Sequence, residues 1–253
     1  MKASGEGGAG RPWNPDFSRD NPLLAHLAIP RFEHWPDGSD YARAFQGLRN
    51  ENGCEIRFSA PLDRDYETRI FETGEVSTRP CNWHDFFNAV VWLNFPHAKA
   101  KLNAMHCREG CSRRNAVRDA LTHFDESGVV VLFSARDLAE DLIDFKWQSL
   151  FVDKRERILK EMRFLIFGHG LLEKAMNPYV GMTGKGIAIE TRDLEIGRAE
   201  LDRRLAESID RLEKPSDLFP VPLLGYPGWD ENNADPAYYR NESYFRKGRS
   251  MRP

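Results

Sequence analysis

The chain has 253 residues, 41% of them hydrophobic and 30% charged, with a net charge of −3 and a pI near 6.2. That is enough to bury a sizeable core, as one large domain or two small ones. The mild acidity argues against a general nucleic-acid binder, and no apolar run approaches the ~20 residues needed to cross a bilayer.

Residues 1–14 are Gly-rich and aperiodic, and are expected to form a disordered tail ahead of a single globular domain over 15–253. They lack the apolar segment of a secretory signal, so a cytoplasmic protein with free thiols on its four cysteines is expected. Residues 15–50 are punctuated by Pro and Asp, with short helical pieces around Pro22–Ala28 and Asp40–Leu48. The alternation in 54–60 (CEIRFSA) predicts a half-buried strand, and that in 66–78 (YETRIFETGEVST) predicts a second, paired strand turning at Gly74. Helices are expected over 83–94, 97–106 and 114–124, then a turn at 124–128 (FDESG), a strand over 128–134 and a helix over 137–145. Apolar residues recur at helical spacing through 150–177. This favours one long helix bent at Gly168, although RFLIF (163–167) also reads as a short strand. A strand over 186–190 and a helix over 193–213 follow, and an aromatic C-terminal segment is expected to pack back onto the body. The mixture lacks strict βαβ alternation, which favours an α+β fold: a predominantly helical layer on a small mixed or antiparallel sheet.

One helix raises a chemical question. Between Trp83 and Phe95 nearly every residue is apolar, and a helix apolar all round is normally buried. Yet His84, Asp85 and Asn88 fall within about 100° of arc on it. Buried polar groups need partners or cost about 1–3 kcal/mol each. Asn82 is a good N-cap, and Asp85, three residues on, suits a capping box. His84 lies in the first turn, where the helix dipole favours the neutral imidazole that a metal ligand or general base requires.

A second cluster is FGHGLLEK, with His169 and Glu173 four residues apart and so on one helix face. Such a pair can bind a cation or act as an acid–base couple, and it can equally be an ordinary surface pair. Asp119 and Thr122 lie one turn apart on a predicted helix, and Asp119 could join the two histidines. A surface Arg118–Asp119 pair is the competing reading, with Asp125 making the turn at Gly128. HCREGC (106–111) lacks the second compact pair that structural zinc usually uses. YVGMTGKG (179–186) fails the phosphate-loop pattern at Tyr179 and Gly186.

The segments NWHDFFNAVVWLNFPHAKAKLN, RDALTHFDESG and FGHGLLEKAMNPY carry a resemblance to a bacterial family known as a domain of unknown function. It spans roughly residues 20–248, with matches at Asn82, His84, Asp85, Asn88, Asp119, Thr122, Asp125, Glu126, Gly168, His169, Glu173 and Lys174. The departures are Gly170, where alanine is usual in the family, and the Cys107–Cys111 pair. The resemblance marks hallmark positions and implies no activity.

These residues support a metal-assisted or acid–base hydrolase. His84 and His169 would serve as ligands or bases, Glu173 and Asp85 as ligands or orienting carboxylates, and Asn88, Asp119, Thr122 and Lys174 as ligand contacts. His84, His169 and Glu173 would hold any metal, and zinc, iron or manganese suits such a set. The substrate or partner is an unknown small molecule or protein, with no nucleic acid and no membrane insertion expected. The rival is a non-enzymatic interaction protein in which the polar stripe is a structural network. Trp229, Tyr238, Tyr239, Tyr244 and Phe245 would then form a partner surface.

Overall fold

Asp37 starts the first helix, α1 (Gly38–Ala44): its carboxylate accepts from the Ser39 and Asp40 N–H groups, and Asp40 returns a bond to the Asp37 N–H. The computed structural model describes residues 11–61, 65–109 and 115–248. Strand β1 (Arg57–Ser59) lies within the expected strand. The next segment differs from expectation: Tyr66–Thr73 is a helix, α2, and only Glu75–Ser77 is a strand, β2, paired parallel with β1. In YETRIFET, Tyr66 and Ile70 are four apart, which serves a helix as well as alternation serves a strand. Gly74 settles the boundary with its left-handed C-cap at φ 75°, where a Cβ would also strike the Glu55 backbone.

Helix α3 (Trp83–Asn94) matches the sequence expectation, and Phe86, Phe87, Val90 and Val91 on it are fully buried. Each such side chain contributes roughly 1.5–3 kcal/mol of burial free energy. Helix α4 (Pro96–Arg108) begins at once with Pro in its first turn, where the missing N–H costs nothing. Helix α5 (Ala116–Ser127) runs three residues past its expected end, so Asp125 and Glu126 occupy its last turn rather than a loop. It leads directly into β3 (Gly128–Phe133), buried along its whole length.

Helix α6 (Arg136–Ile143) and a π-type turn over Ser149–Asp153 come next. The single long helix expected over 150–177 is not formed. The chain instead makes helix α7 (Arg155–Glu161), strand β4 (Met162–Ile166) and helix α8 (His169–Ala175). Met162–Ile166 is claimed by antiparallel pairing with β3, Val131 opposite Phe164, an interaction that helical spacing within the segment does not reveal. Strand β5 (Thr183–Glu190) pairs parallel with β3, helix α9 (Arg198–Ile209) packs on α4, and β6 (Phe219–Pro222) closes the sheet order β4-β3-β5-β6. Pro220 and Pro222 sit on this edge strand, where a missing donor is tolerated.

The architecture is thus α+β, with helices around a mixed four-stranded sheet and a separate parallel pair. No described helix is long and apolar enough to cross a membrane. The C-terminal segment packs back as expected: Trp229, Tyr239, Tyr244 and Phe245 are buried, and Tyr244 donates its hydroxyl to Met182 O at 2.7 Å. That burial takes four of the five aromatics out of the partner surface of the rival reading, and the fifth, Tyr238, is half-buried. Trp13, within the stretch read as a tail, stacks on Trp83 at 4.8 Å, while residues 1–10 lie outside the described residues. Cys54 and Cys81 are free thiols, and Cys111 lies outside the described residues.

Candidate metal centre

Three helix ends meet at one point. At the start of α3, Asn82 accepts from the Asp85 N–H at 3.0 Å, capping the helix and placing His84 in its first turn. At the start of α8 stands His169. The last turn of α5 carries Asp125 and Glu126. Gly168 brings the last two together: its N–H donates to Gly128 O at 2.9 Å, and a Cβ on it would lie 2.4 Å from the Ser127 and Gly128 nitrogens. Only a residue without a side chain lets these backbones approach so closely.

His84 Nε2 and His169 Nε2 face each other at 3.0 Å, with the rings inclined at 72°. Glu126 Oε1 lies 3.6 Å from the first and 3.5 Å from the second. Edges of this length arise when three ligands sit about 2.0–2.1 Å from one ion at angles of roughly 90–120°. His84, Glu126 and His169 are therefore a group that could hold a metal ion.

A carboxylate also stands behind each imidazole, although His169 Nδ1 makes no hydrogen bond. His84 Nδ1 faces Glu173 Oε2 at 3.3 Å, and His169 Nδ1 faces Asp125 Oδ1 at 3.7 Å, an ion-pair rather than a hydrogen-bond distance. A carboxylate behind the non-ligating nitrogen is the usual support of a metal-bound histidine, fixing its orientation and raising its basicity. Asp125 is itself held by the buried Lys99 ammonium at 2.6 Å, which also lies over the Trp92 ring.

The charges follow from these contacts. Burial disfavours the His169 cation, but Asp125 and Glu126 outweigh it and raise its pKa to about 9. Burial likewise opposes the Asp125 carboxylate, and Lys99 and His169 overcome it, holding the group well below the usual carboxylate range. The His169 imidazole beside it lowers Glu126. Without an ion, a proton shared among these groups balances the cluster, and metal must displace it.

The cluster opens onto a pocket of about 360 Å³, also lined by Tyr66, Glu67, Arg79, Asp85, Asn88, His106 and Thr122. This volume lies within the range of small-molecule sites. Asn88 donates to the Tyr66 hydroxyl at 2.9 Å. Asp85 takes the Arg79 guanidinium in a two-pronged pair at 2.7 and 2.8 Å and accepts the Arg79 N–H as well. Its carboxylate is spent on Arg79, so Asn82 caps the helix without the return bond of a capping box. Burial drives the His106 pKa down to about 4 and the Glu67 pKa up to about 7.

Among the residues singled out from sequence, His84 and His169 converge, and Asp85, Asn88 and Thr122 line the same pocket. Glu173 stands behind His84 rather than beside the common point, where the third carboxylate is Glu126. Lys174 is exposed and Asp119 half-buried, and neither lines the pocket. Glu126, Lys99, Glu67 and Arg79 were not picked out as site residues. Thr122 and Glu126 are four residues apart, a signal that emerges once the helix is carried past 124.

The chain belongs to the family described as "Protein of unknown function (DUF3025)", whose sequence model matches residues 56–249 and so spans every residue of the cluster. No curated protein and no solved structure matches the chain.

Proposed function

We propose that His84, His169 and Glu126 hold one divalent cation and that the pocket beside it carries out metal-assisted hydrolysis of a small polar substrate. The observation that carries this reading is convergence: three ligand atoms lie within 4.8 Å of one another, with both imidazoles backed by carboxylates. Two imidazoles and a carboxylate suit zinc, iron or manganese. The three residues would leave the ion's remaining positions facing the pocket, where it would polarise a water or a substrate carbonyl. Asp125 and Glu173 would be positioning residues for the imidazoles, and Asn88 and Thr122 would be substrate contacts.

Elemental analysis of the purified protein, followed by a screen of neutral ester and amide substrates, tests this reading. Near-stoichiometric metal and metal-dependent hydrolysis are expected. A second reading rests on the 3.0 Å contact between the two Nε2 atoms, which already satisfies both as a hydrogen bond. In it the cluster is a structural network fixing α3, α5 and α8 in a non-enzymatic interaction protein. A metal-free protein that takes up no added cation, and loses thermal stability in His84→Ala and His169→Ala, would support it.

A further inference from the structure

Four carboxylates line the pocket: Glu67, Asp85, Asp125 and Glu126. Three are committed to positive groups, Asp85 to Arg79, Asp125 to Lys99, and Glu126 to the imidazole pair. Glu67 alone has no cation within salt-bridge distance among the described residues. It is nonetheless held in place. The Asn103 side-chain amide donates to Glu67 Oε2 at 2.8 Å and to the Glu67 carbonyl at 2.9 Å, fixing side chain and backbone together in the first turn of α2. An orientation fixed in this way, without a neutralising partner, is what a proton-transferring carboxyl needs.

We infer that Glu67 is the general acid–base of this pocket, accepting a proton from the water activated there and returning it to the leaving group. The assignment rests on the ion being held by His84, His169 and Glu126. In the hydrolysis of an ester or amide, one water O–H bond breaks and its proton passes to Glu67. The oxygen forms the new bond to the acyl carbon. As the acyl bond to the leaving group breaks, the leaving group takes the proton from Glu67, which ends as it began. The groups that set its protonation are those around it. Its desolvated position and the Asp125 and Asp65 carboxylates favour the neutral acid, while the Asn103 amide and the Lys99 ammonium favour the anion. The balance puts its pKa at about 7, where a carboxyl gives and takes a proton with equal ease.

Cobalt(II) is the probe. The full chain is stripped of metal and loaded with cobalt, and its visible spectrum is followed with pH in wild type, Glu67→Gln and Asn103→Ala. The wild-type spectrum is expected to follow two linked ionisations, one of the carboxyl and one of the water on cobalt. In Glu67→Gln the carboxyl step should vanish and the other should move by about one pH unit or more, a tenfold change in the linked equilibrium. Cobalt bound with identical titration curves in wild type and Glu67→Gln overturns the assignment. Absence of any cobalt spectrum instead removes the metal reading beneath it. Should Glu67→Gln fail to fold, Asn103→Ala keeps the carboxyl but frees it, and an unmoved curve in that variant overturns the assignment equally.

Discussion

His84 Nε2 and His169 Nε2 lie 3.0 Å apart although 85 residues separate them in the chain, and the Nδ1 atom of each ring faces a carboxylate. Two imidazoles turned toward each other need either a shared proton or a shared cation between them. The contacts around them fix what each alternative should do.

Without metal, His169 holds its proton to about pH 9, against an ordinary value near 6.5. A raised pKa in the folded state means the stabilisation is fully present below about pH 6.5 and is lost as pH rises through 9, by up to about 3 kcal/mol. Glu67, raised to about 7 from an ordinary value of 4.5, loses stability over the lower window between those values. Urea unfolding of chelator-treated protein should therefore show stability falling from pH 6.5 to 9, and His169→Gln should flatten that part of the profile. A rise over the same range would contradict the charge assignment.

Metal uptake must expel the His169 proton, so cation affinity should increase with pH until about 9 and then level off. Zinc titrations in weakly coordinating buffers between pH 6 and 8 would check the slope. Affinity independent of pH would mean that His169 is not displaced from its proton by the ion.

Lys99 is buried and bonded to Asp125, which stands behind His169. Lys99→Met leaves that carboxylate without its closest cation and should cost about 3–5 kcal/mol in denaturant unfolding. Lys99→Met combined with Asp125→Leu should recover part of this loss, because a buried pair replaced by apolar groups often costs little. Equal losses in the single and double variants would show that the pair contributes only packing.

Gly170 is open where Glu126 lies: a Cβ there would sit 2.5 Å from Glu126 Oε2. The nearest clash is with the end of a side chain and the Glu126 carbonyl lies 3.1 Å off, so Gly170→Ala, which installs the residue usual in the family, should fold, shift the Glu126 carboxylate slightly and keep zinc binding within about threefold. Gly168→Ala clashes with backbone at 2.4 Å and should instead destabilise by about 1–3 kcal/mol or more. Thermal melts and zinc titrations on both variants separate the two effects.

The parts of the site that were legible in the sequence are those where local pattern and tertiary environment agree. Helix α3 carries polar residues in an otherwise apolar run, so His84, Asp85 and Asn88 were conspicuous and its limits were readable. His169 stood out between two glycines. Glu126 is marked by the family resemblance, but not as a ligand, because FDESG has the composition of a turn although the helix runs through it to Ser127. Lys99, within HAKAKLN, looks like a solvated lysine, and its burial depends on Asp125 and Trp92, which are remote or on another helix. Glu67 was obscured by an alternation that suits a strand, and β4 by helical spacing that its pairing with β3 overrides. For Lys99 and β4 the deciding partner lies on another element of the chain.

The role of Glu126 as a ligand, with Glu173 as a support, is the most specific part of the metal assignment. Calorimetric titration of metal-free protein with zinc, in wild type, Glu126→Gln and Glu173→Gln, tests it directly. One equivalent should bind in wild type, binding should be abolished in Glu126→Gln, and Glu173→Gln should keep the one-to-one stoichiometry with affinity about 10–100-fold weaker. No binding in wild type, or unchanged binding in Glu126→Gln, would contradict a metal centre built on His84, Glu126 and His169.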